Sequence, residues 1–220
     1  MKQIRHYKAT VIQCVAMMLR TLLLQPIDPE EKNHQVREVL YFIPVTEAEK
    51  EAFEERFDMK IMNTYGSTES IGWALTDPPV GARNWPSVGR PGLGYEVRIA
   101  DLNDQELPHG EVGEIQIKGV RGRSVMLEYY NNPEATENTF SADGWLKTGD
   151  QGYQDDNGWF FFVDRKVNMV KRAGENISTT EIEEILEEHP IIAEAAVIGV
   201  PDPIRDQAIK AFVRFTPGDA

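Results

Sequence analysis

Cysteine is scarce in this chain. Cys14 is the only one among 220 residues, so the chain cannot form an internal disulfide. Cys14 and the four histidines also lack the paired spacing that is typical of a zinc or haem site. A chain without disulfides is typical of a reducing compartment, and we therefore expect a cytoplasmic protein.

Positive charge is also in short supply. The sequence has 23 lysines and arginines against 36 aspartates and glutamates, which gives a formal net charge of -13. This excess repels phosphate backbones and anionic lipid headgroups, and it removes the attraction on which non-specific nucleic-acid binding depends. We therefore expect no nucleic-acid partner, and any bound phosphate must be held by local contacts.

Long apolar runs are missing as well. The stretch from residue 11 to residue 24 is interrupted by Gln13 and Arg20, so it falls short of the roughly 18 uninterrupted apolar residues of a membrane span. Its apolar residues recur at helical spacing, at Val11, Val15, Met18 and Leu22. This spacing predicts an amphipathic helix in the core of a one- or two-domain protein.

Local signals predict both helices and strands. Thr46 with Glu49, and Ser178 with Glu181, have the spacing of a capping box at a helix start. The second helix is expected to bury a stripe formed by Ile182, Ile185 and Leu186. Alternating or β-rich runs predict strands at 59–65, 95–100, 114–120, 159–163, 195–200 and 208–215. Asn157-Gly158 is a hairpin signal, so the fold class expected is a mixture of α/β and α+β.

Residues 65–69, Tyr-Gly-Ser-Thr-Glu, allow two interpretations. They predict a tight turn from a strand into a helix, and such junctions suit a phosphate. Functionally, they offer a ring to stack on a base, a hydroxyl for a phosphate oxygen and a carboxylate for Mg²⁺. Asp150, after Thr148-Gly149, is either a turn former or an acceptor for both hydroxyls of a ribose.

Two further segments are equally open. Arg165 is either a surface partner of Asp164, which would contribute little energy, or a fork of donors for a ribose or phosphate. Residues 171–176, Lys-Arg-Ala-Gly-Glu-Asn, are either a solvated loop or a loop that swings against an anionic ligand. The charge balance supports a boundary here, because residues 101–160 carry 12 acidic and 4 basic side chains whereas 161–180 carry 4 basic and 2 acidic ones.

Taken together, five motifs in order carry a resemblance. They are Tyr-Gly-x-Thr-Glu at 65–69, Gly-Glu-Ile-x-Ile-x-Gly at 113–119, Trp-Leu-x-Thr-Gly-Asp at 145–150, Asp-Arg at 164–165, and Lys-Arg-x-Gly-Glu-Asn-Ile-Ser at 171–178. The chain resembles the adenylate-forming, AMP-binding acyl-CoA synthetase superfamily from about residue 8 onward. Within it, the stretches 85–90, 162–165, 168–172 and 204–212 are most similar to crotonobetaine/carnitine-CoA ligases.

The resemblance implies a two-step ligase that uses ATP, Mg²⁺ and coenzyme A. A small-molecule carboxylate would attack the α-phosphorus of ATP, and the thiol of CoA would then displace AMP. Carried over by motif, Tyr65 would stack on adenine, Thr68 would contact the α-phosphate, and Glu69 would help to bind Mg²⁺. Asp150 and Arg165 would hold the ribose. A mobile loop bearing Gly174 and Glu175 would face the CoA channel.

The resemblance also implies a domain division. Residues 1–163 would be the later part of the large AMP-binding domain, 164–168 a hinge, and 169–220 the first half of a small α+β domain. Neither a Ser/Thr/Gly-rich phosphate loop nor the glycine-lysine segment of the family occurs in the 220 residues. We therefore expect a fragment that does not form acyl-adenylates alone. A non-catalytic nucleotide-binding remnant and a ligase for fatty or aryl acids remain alternatives.

The hinge departs from the family pattern. Asp164 replaces the glycine that usually precedes the arginine, which is a lesser change. Two positions after the arginine, Val167 stands where the family usually has Asp or Lys. Polar contacts at the hinge are therefore expected to differ from those of the family.

Overall fold

The computed structural model describes residues 1–42, 45–165, 168–172, 175–202 and 206–216. Within these ranges the chain forms three β-sheets together with helices, which confirms the mixed fold class. The helices are α1 (Lys2–His6), α2 (Ala16–Leu23), α3 (Glu47–Phe57), α4 (Pro133–Thr139) and α5 (Thr179–Glu187). Across the described ranges, none of these helices is both long and apolar enough to cross a bilayer.

The first sheet has the order β1-β2-β3-β4-β5. Its strands are β1 (Val11–Val15), β2 (Glu38–Phe42), β3 (Ile61–Tyr65), β4 (Leu75–Thr76) and β5 (Arg90–Pro91). The first three strands are parallel, with α2 and α3 as their crossovers, and the last two are antiparallel. The carboxyl end of β3 therefore leads directly into the segment that begins at Tyr65.

The single helix expected over residues 11–24 is wrong. Val11–Val15 form strand β1, and the helix begins only at Ala16. Val11 and Met18 are each 46% exposed, so the helical spacing does not mark one buried face. Val11–Val15 is rich in β-branched residues, which suit a pleated strand, and pairing with β2 settles the choice.

The capping box at α3 is confirmed. The Thr46 hydroxyl accepts from the backbone N–H of Glu49, whose carboxylate accepts from the backbone N–H of Thr46. The helix buries Phe53 and Phe57 against the parallel strands. The cap fixes where the helix begins, and the two rings fix which face it buries.

The second sheet is an antiparallel meander in the order β6-β7-β8-β9. Its strands are β6 (Glu96–Ala100), β7 (Gly113–Lys118), β8 (Leu146–Gln154) and β9 (Phe160–Arg165). Ile115 and Ile117 are fully buried, as the alternation predicts, and the turn before Trp159 confirms the hairpin at Asn157-Gly158. This sheet carries Asp150 on β8 and Arg165 on β9.

The third sheet has the order β11-β10-β13-β12. Its strands are β10 (Met169–Arg172), β11 (Glu175–Ser178), β12 (Ile192–Asp202) and β13 (Asp206–Phe215). Both alternatives considered for residues 171–176 assume a loop, whereas Lys171 and Arg172 lie in β10 and pair antiparallel with Asn176 and Glu175 of β11, which corrects that assumption. Gly174 itself lies outside the described residues.

Helix α5 begins at the predicted cap but does not bury the predicted stripe. Ser178 accepts from the backbone N–H of Glu181, which confirms the helix start. Ile185, however, is 60% exposed. Two glutamates of α5, Glu183 and Glu187, accept from the backbone N–H groups of Val197 and Ala195 on β12, so hydrogen bonds attach this helix to its sheet.

The first and second sheets are joined by backbone hydrogen bonds. Val88 donates to the carbonyl of Phe160, and Phe160 donates to the carbonyl of Gly89. Gly89 has φ +100°, and a Cβ there would lie 2.1 Å from the carbonyl carbon of Thr76. The close approach of the Gly89 backbone to Thr76 of β4, within the first sheet, therefore requires glycine at this position.

Candidate functional site

The segment after Tyr65 is a turn held by one buried hydroxyl. Ser70 is fully buried, and its Oγ accepts from the backbone N–H of Ser67 at 2.8 Å and donates to the carbonyl of Ser67. No helix follows in these described residues, which corrects the expected turn into a helix. Ile71 has φ +62°, which is incompatible with helix continuation. The helix-dipole argument for a phosphate therefore does not apply here.

Tyr65, Asp150 and Arg165 meet although they are far apart in sequence. The Tyr65 hydroxyl donates to Asp150 Oδ2 at 2.7 Å. Arg165 Nε lies 3.5 Å from Asp150 Oδ1, because β8 and β9 place these two residues opposite each other. Asp150 lies within strand β8, so the alternative that it merely forms a turn is wrong.

Asp150 is the more sheltered member of this group. Its side chain is 16% exposed, whereas that of Arg165 is 72% exposed. Burial raises the pKa of Asp150 above its usual value, and the Tyr65 hydroxyl and Arg165 oppose this rise. Burial, and then the nearby Asp150 charge, raise the pKa of Tyr65 well above its usual value. The tyrosine therefore remains a proton donor to the carboxylate across the physiological range.

Arg165 does not form the surface pair with Asp164 considered above. Asp164 is only 3% exposed, and its Oδ1 accepts from the backbone N–H of Arg165 at 2.7 Å. The guanidinium of Arg165 turns instead towards Asp150. The sequence analysis treated Asp164 as a minor substitution. No local pattern in the sequence indicates that this acid is buried or that it contacts Ser178.

Glu69 lies on the other side of the turn. Its Oε1 accepts from the Tyr129 hydroxyl at 2.8 Å, and its carbonyl accepts from the backbone N–H of Met126 at 2.7 Å. Burial acts to raise the pKa of Glu69, but hydrogen bonds, above all that from Tyr129, outweigh it and leave the pKa below its usual value. Glu69 is therefore an ionised carboxylate held in one orientation.

A polar cavity of about 360 Å³ opens beside Glu69. Ser67, Tyr129, Lys147 and Thr148 contribute to its walls. Thr68 is exposed on the same turn, and the described residues provide no hydrogen-bond partner for its side chain. Its predicted contact with a phosphate stays a prediction. Tyr129 and Lys147 were not singled out from the sequence, because their relation to Glu69 arises only in the fold.

A second cavity, of about 540 Å³, lies on the side of Tyr65 and Asp150. It is lined mainly by aromatic side chains, among them Trp85, Tyr153, Phe161 and Phe162. The rings of Tyr65 and Phe162 have centroids 6.5 Å apart and are tilted by 38°. These aromatic residues were also missed as site residues, although the run 159–162 is visibly aromatic; its first two rings are buried, and its last two line the cavity.

Of the remaining predicted site residues, Gly174 and Glu175, no side-chain position is described. Gly174 is outside the described residues, and only the backbone of Glu175, at the start of β11, is described. Among the described residues, no group of three or more His, Cys, Asp or Glu side chains is placed to hold a metal ion. A cation at Glu69 would therefore need most of its ligands from a bound molecule and water.

Two known family models match the chain, in the same order along the sequence as the motifs. Residues 1–130, more than half of the chain, match the family model described as AMP-binding enzyme. Residues 181–220 match the model described as AMP-binding enzyme C-terminal domain. Both matches run in the order that the motifs predict.

Named relatives agree with this assignment. The chain is 53% identical over 218 residues to a crotonobetaine/carnitine-CoA ligase from Proteus mirabilis, covering 99% of this chain and 42% of that ligase. It superimposes on o-succinylbenzoate CoA synthetase from Bacillus subtilis bound to an acyl-adenylate, with a TM-score of 0.81, 32% identity and coverage of 98% of this chain and 43% of that one.

The same synthetase bound to ATP and a magnesium ion gives a TM-score of 0.80 at 32% identity, with coverage of 96% and 43%. The chain thus spans less than half the length of these relatives. The match of more than half of its residues to the family model, in agreement with the motifs and the fold, shows that the chain belongs to the AMP-binding enzyme family.

Proposed function

We propose that this chain carries the nucleotide-binding part of an AMP-forming ligase that joins a small carboxylic acid to coenzyme A. The observation that carries the proposal is the contact of Tyr65, Asp150 and Arg165 at the wall of the aromatic cavity. The name of the 53%-identical relative supports crotonobetaine or carnitine as the acid.

The aromatic cavity fits a nucleoside. The Tyr65 and Phe162 rings offer flat apolar surfaces to a purine, since aromatic faces stack on bases without loss of hydrogen bonds. Asp150 has two carboxylate oxygens that accept from neighbouring ribose hydroxyls. Arg165 lies beside it with an exposed guanidinium that donates to sugar or phosphate oxygens.

The polar cavity fits the phosphates. The lowered pKa of Glu69 keeps its carboxylate ionised at neutral pH, and Mg²⁺ prefers such hard oxygen ligands. In this proposal Glu69 supplies one ligand, and the phosphates and water supply the others. The bound ion would neutralise charge that develops on the phosphate oxygens. Thr68, on the exposed rim of the turn, donates to the α-phosphate.

Catalysis in this proposal rests on placement and electrostatics. The acid carboxylate attacks the α-phosphorus and releases pyrophosphate; the CoA thiol then attacks the acyl carbon and releases AMP. No side chain of the site acts as a covalent nucleophile, and the residues orient the reactants and stabilise negative oxygens. The division into residues 1–163, a hinge at 164–168 and residues 169–220 is part of the proposal, with Gly174 and Glu175 on the side of CoA.

Calorimetric titration of the chain with AMP tests the nucleotide site. We expect binding that weakens by about tenfold or more in Asp150→Ala, because hydrogen bonds to a charged group contribute about 1.5–3 kcal/mol. Asp156→Ala is the matched control, since this acid lies on the same hairpin with a side chain 94% exposed. Absence of AMP binding, or equal losses in the two variants, would overturn the proposal.

Incubation with ATP, crotonobetaine or carnitine, and CoA tests turnover. The 220 residues contain neither the phosphate loop nor the glycine-lysine segment of the family. We therefore expect the chain to bind AMP but not to form AMP from ATP. Acid-dependent AMP release by this chain would contradict that expectation while supporting the ligase assignment. A chain that binds AMP but does not form it from ATP would agree with a nucleotide-binding part whose turnover needs a longer protein.

A further inference from the structure

Asp164 is a buried acid whose two carboxylate oxygens are both engaged. It lies near the end of β9 and is 3% exposed. Its Oδ1 accepts from the backbone N–H of Arg165 at 2.7 Å and from Asn168 Nδ2 at 3.1 Å. Its Oδ2 accepts from the Ser178 hydroxyl. Three donors therefore compensate the burial of this carboxylate.

Ser178 connects this carboxylate to helix α5. It is the N-cap residue of α5, and its Oγ accepts from the backbone N–H of Glu181 at 3.1 Å. One hydroxyl thus donates to Asp164 and accepts from the first turn of the helix. Ser178 is itself 7% exposed, so water competes little for either hydrogen bond.

Arg165 connects the same carboxylate to the nucleotide site. Asp164 and Arg165 are adjacent on β9, and they face Gln151 and Asp150 on β8. The Arg165 side chain is 72% exposed, so the direction of its long side chain depends on how firmly its backbone is held. Strand pairing places the Arg165 backbone opposite Asp150, and the hydrogen bond from its N–H to Asp164 Oδ1 restrains it there.

We propose that Asp164 is a positioning residue that couples the Asp150–Arg165 pair to the beginning of α5. One oxygen holds the backbone of the arginine, and the other holds the cap of the helix. Because coupling is reciprocal, a nucleotide that orders Arg165 also steadies the cap of α5. This inference rests on the proposed nucleotide site, and it assigns to Asp164 a role that a glycine at this position would not have.

Asp164→Asn separates the two halves of this role. The asparagine keeps an acceptor oxygen for the backbone of Arg165, but its amide nitrogen cannot accept from the Ser178 hydroxyl. Thr46→Ala is the matched control, because Thr46 caps α3 through the same type of hydrogen bond to the third residue of its helix.

Amide hydrogen exchange at Glu181, with and without saturating AMP, tests the coupling. We expect AMP to slow this exchange about fivefold or more in the unmodified chain and in Thr46→Ala. In Asp164→Asn, AMP still binds but no longer slows it. Equal protection in the unmodified chain and Asp164→Asn, or no protection in the unmodified chain, would overturn the proposal.

A second measurement needs no nucleotide. In Asp164→Ala, exchange at the amides of Arg165 and Glu181 should accelerate together, whereas Thr46→Ala should leave both unchanged. Failure of AMP to bind would refute the nucleotide site alone, and the coupling would then be judged by these amides. Unchanged exchange at Arg165 and Glu181 would refute the role of Asp164 in either case.

Discussion

Removal of one hydroxyl, in Tyr65→Phe, isolates the contact on which the candidate site depends. The tyrosine donates to Asp150 Oδ2 at 2.7 Å, and the carboxylate is 16% exposed. A hydrogen bond to a charged group contributes about 1.5–3 kcal/mol. The phenyl ring still fills the space beside Phe162, so no cavity cost is added. We therefore expect a loss of about 2 kcal/mol in the free energy of unfolding at neutral pH.

The pH dependence of this loss gives a second check. Burial already raises the folded-state pKa of Asp150, and the Tyr65 hydroxyl opposes that rise. Without the hydroxyl the pKa rises further. A carboxyl with a raised folded pKa favours the folded state below its unfolded pKa and loses that contribution as pH rises through the folded pKa. The difference between Tyr65→Phe and the unmodified chain should therefore be larger at pH 7 than at pH 3.

Urea unfolding followed by tryptophan fluorescence measures this difference. Tyr153→Phe is the matched control, since Tyr153 lines the same cavity and its hydroxyl has no hydrogen-bond partner among the described residues. We expect Tyr153→Phe to change stability by less than about 0.5 kcal/mol. Equal losses in the two variants, or a Tyr65→Phe loss that grows towards acid pH, would refute the reasoning.

Three further substitutions test the fold by the same unfolding assay. Arg20 donates to Glu49 and lowers the pKa of that carboxyl to about 2, so Glu49→Gln should lower the free energy of unfolding by about 1 kcal/mol at pH 7. The stability difference from the unmodified chain should disappear as the pH falls from 4.5 towards 2, and a difference that stays constant would contradict this. Burial raises the pKa of Asp77, which weakens the folded state as pH rises, so Asp77→Asn should flatten stability between pH 4 and pH 7. Gly89→Ala should lose about 3 kcal/mol or more, since its Cβ would lie 2.1 Å from the carbonyl carbon of Thr76; a native-like melting temperature would refute the close approach.

The sequence predicted best where the signal was local. Thr46 and Ser178 fix helix starts by hydrogen bonds within one turn, and Asn157-Gly158 fixes a hairpin by its own backbone preferences. The alternation correctly places Ile115 and Ile117 on one buried face of β7, but it does not predict that Gln116 on the opposite face is buried as well. Each of the correct predictions depends on residues no more than a few positions apart.

Prediction failed where a distant part of the chain decided the outcome. Val11 to Leu24 has helical spacing, but pairing with β2 converts its first residues into a strand. The turn at Gly66 to Ser70 does not become a helix, and distant groups take the carbonyls that a helix would use: Met126 donates to the carbonyl of Glu69, and the Tyr95 hydroxyl donates to that of Ser70. Exposure of Ile185 likewise depends on how α5 lies on β12, which spacing within the helix does not specify.

The candidate site shows the same division. Motif resemblance singled out Tyr65, Asp150 and Arg165, and the fold brings them together, although their ligand contacts stay predictions. Tyr129 and Asp164 were missed, because their contacts with Glu69 and Ser178 cross between separate parts of the chain. Residues that meet only in the folded chain show neither a periodic pattern nor a fixed spacing in the sequence.

The contact between Tyr65 and Asp150 also makes ligand binding depend on how the first and second sheets dock. Tyr65 ends a strand of the first sheet and Asp150 lies in the second, so neither sheet alone contains the proposed nucleotide site. Whatever binds there favours the state in which both sheets are formed and docked. Ligand affinity would therefore depend on the correct joining of the sheets, and loosening the backbone pairing of Gly89 with Phe160, neither of which lines the cavity, would weaken binding without removing a contact residue.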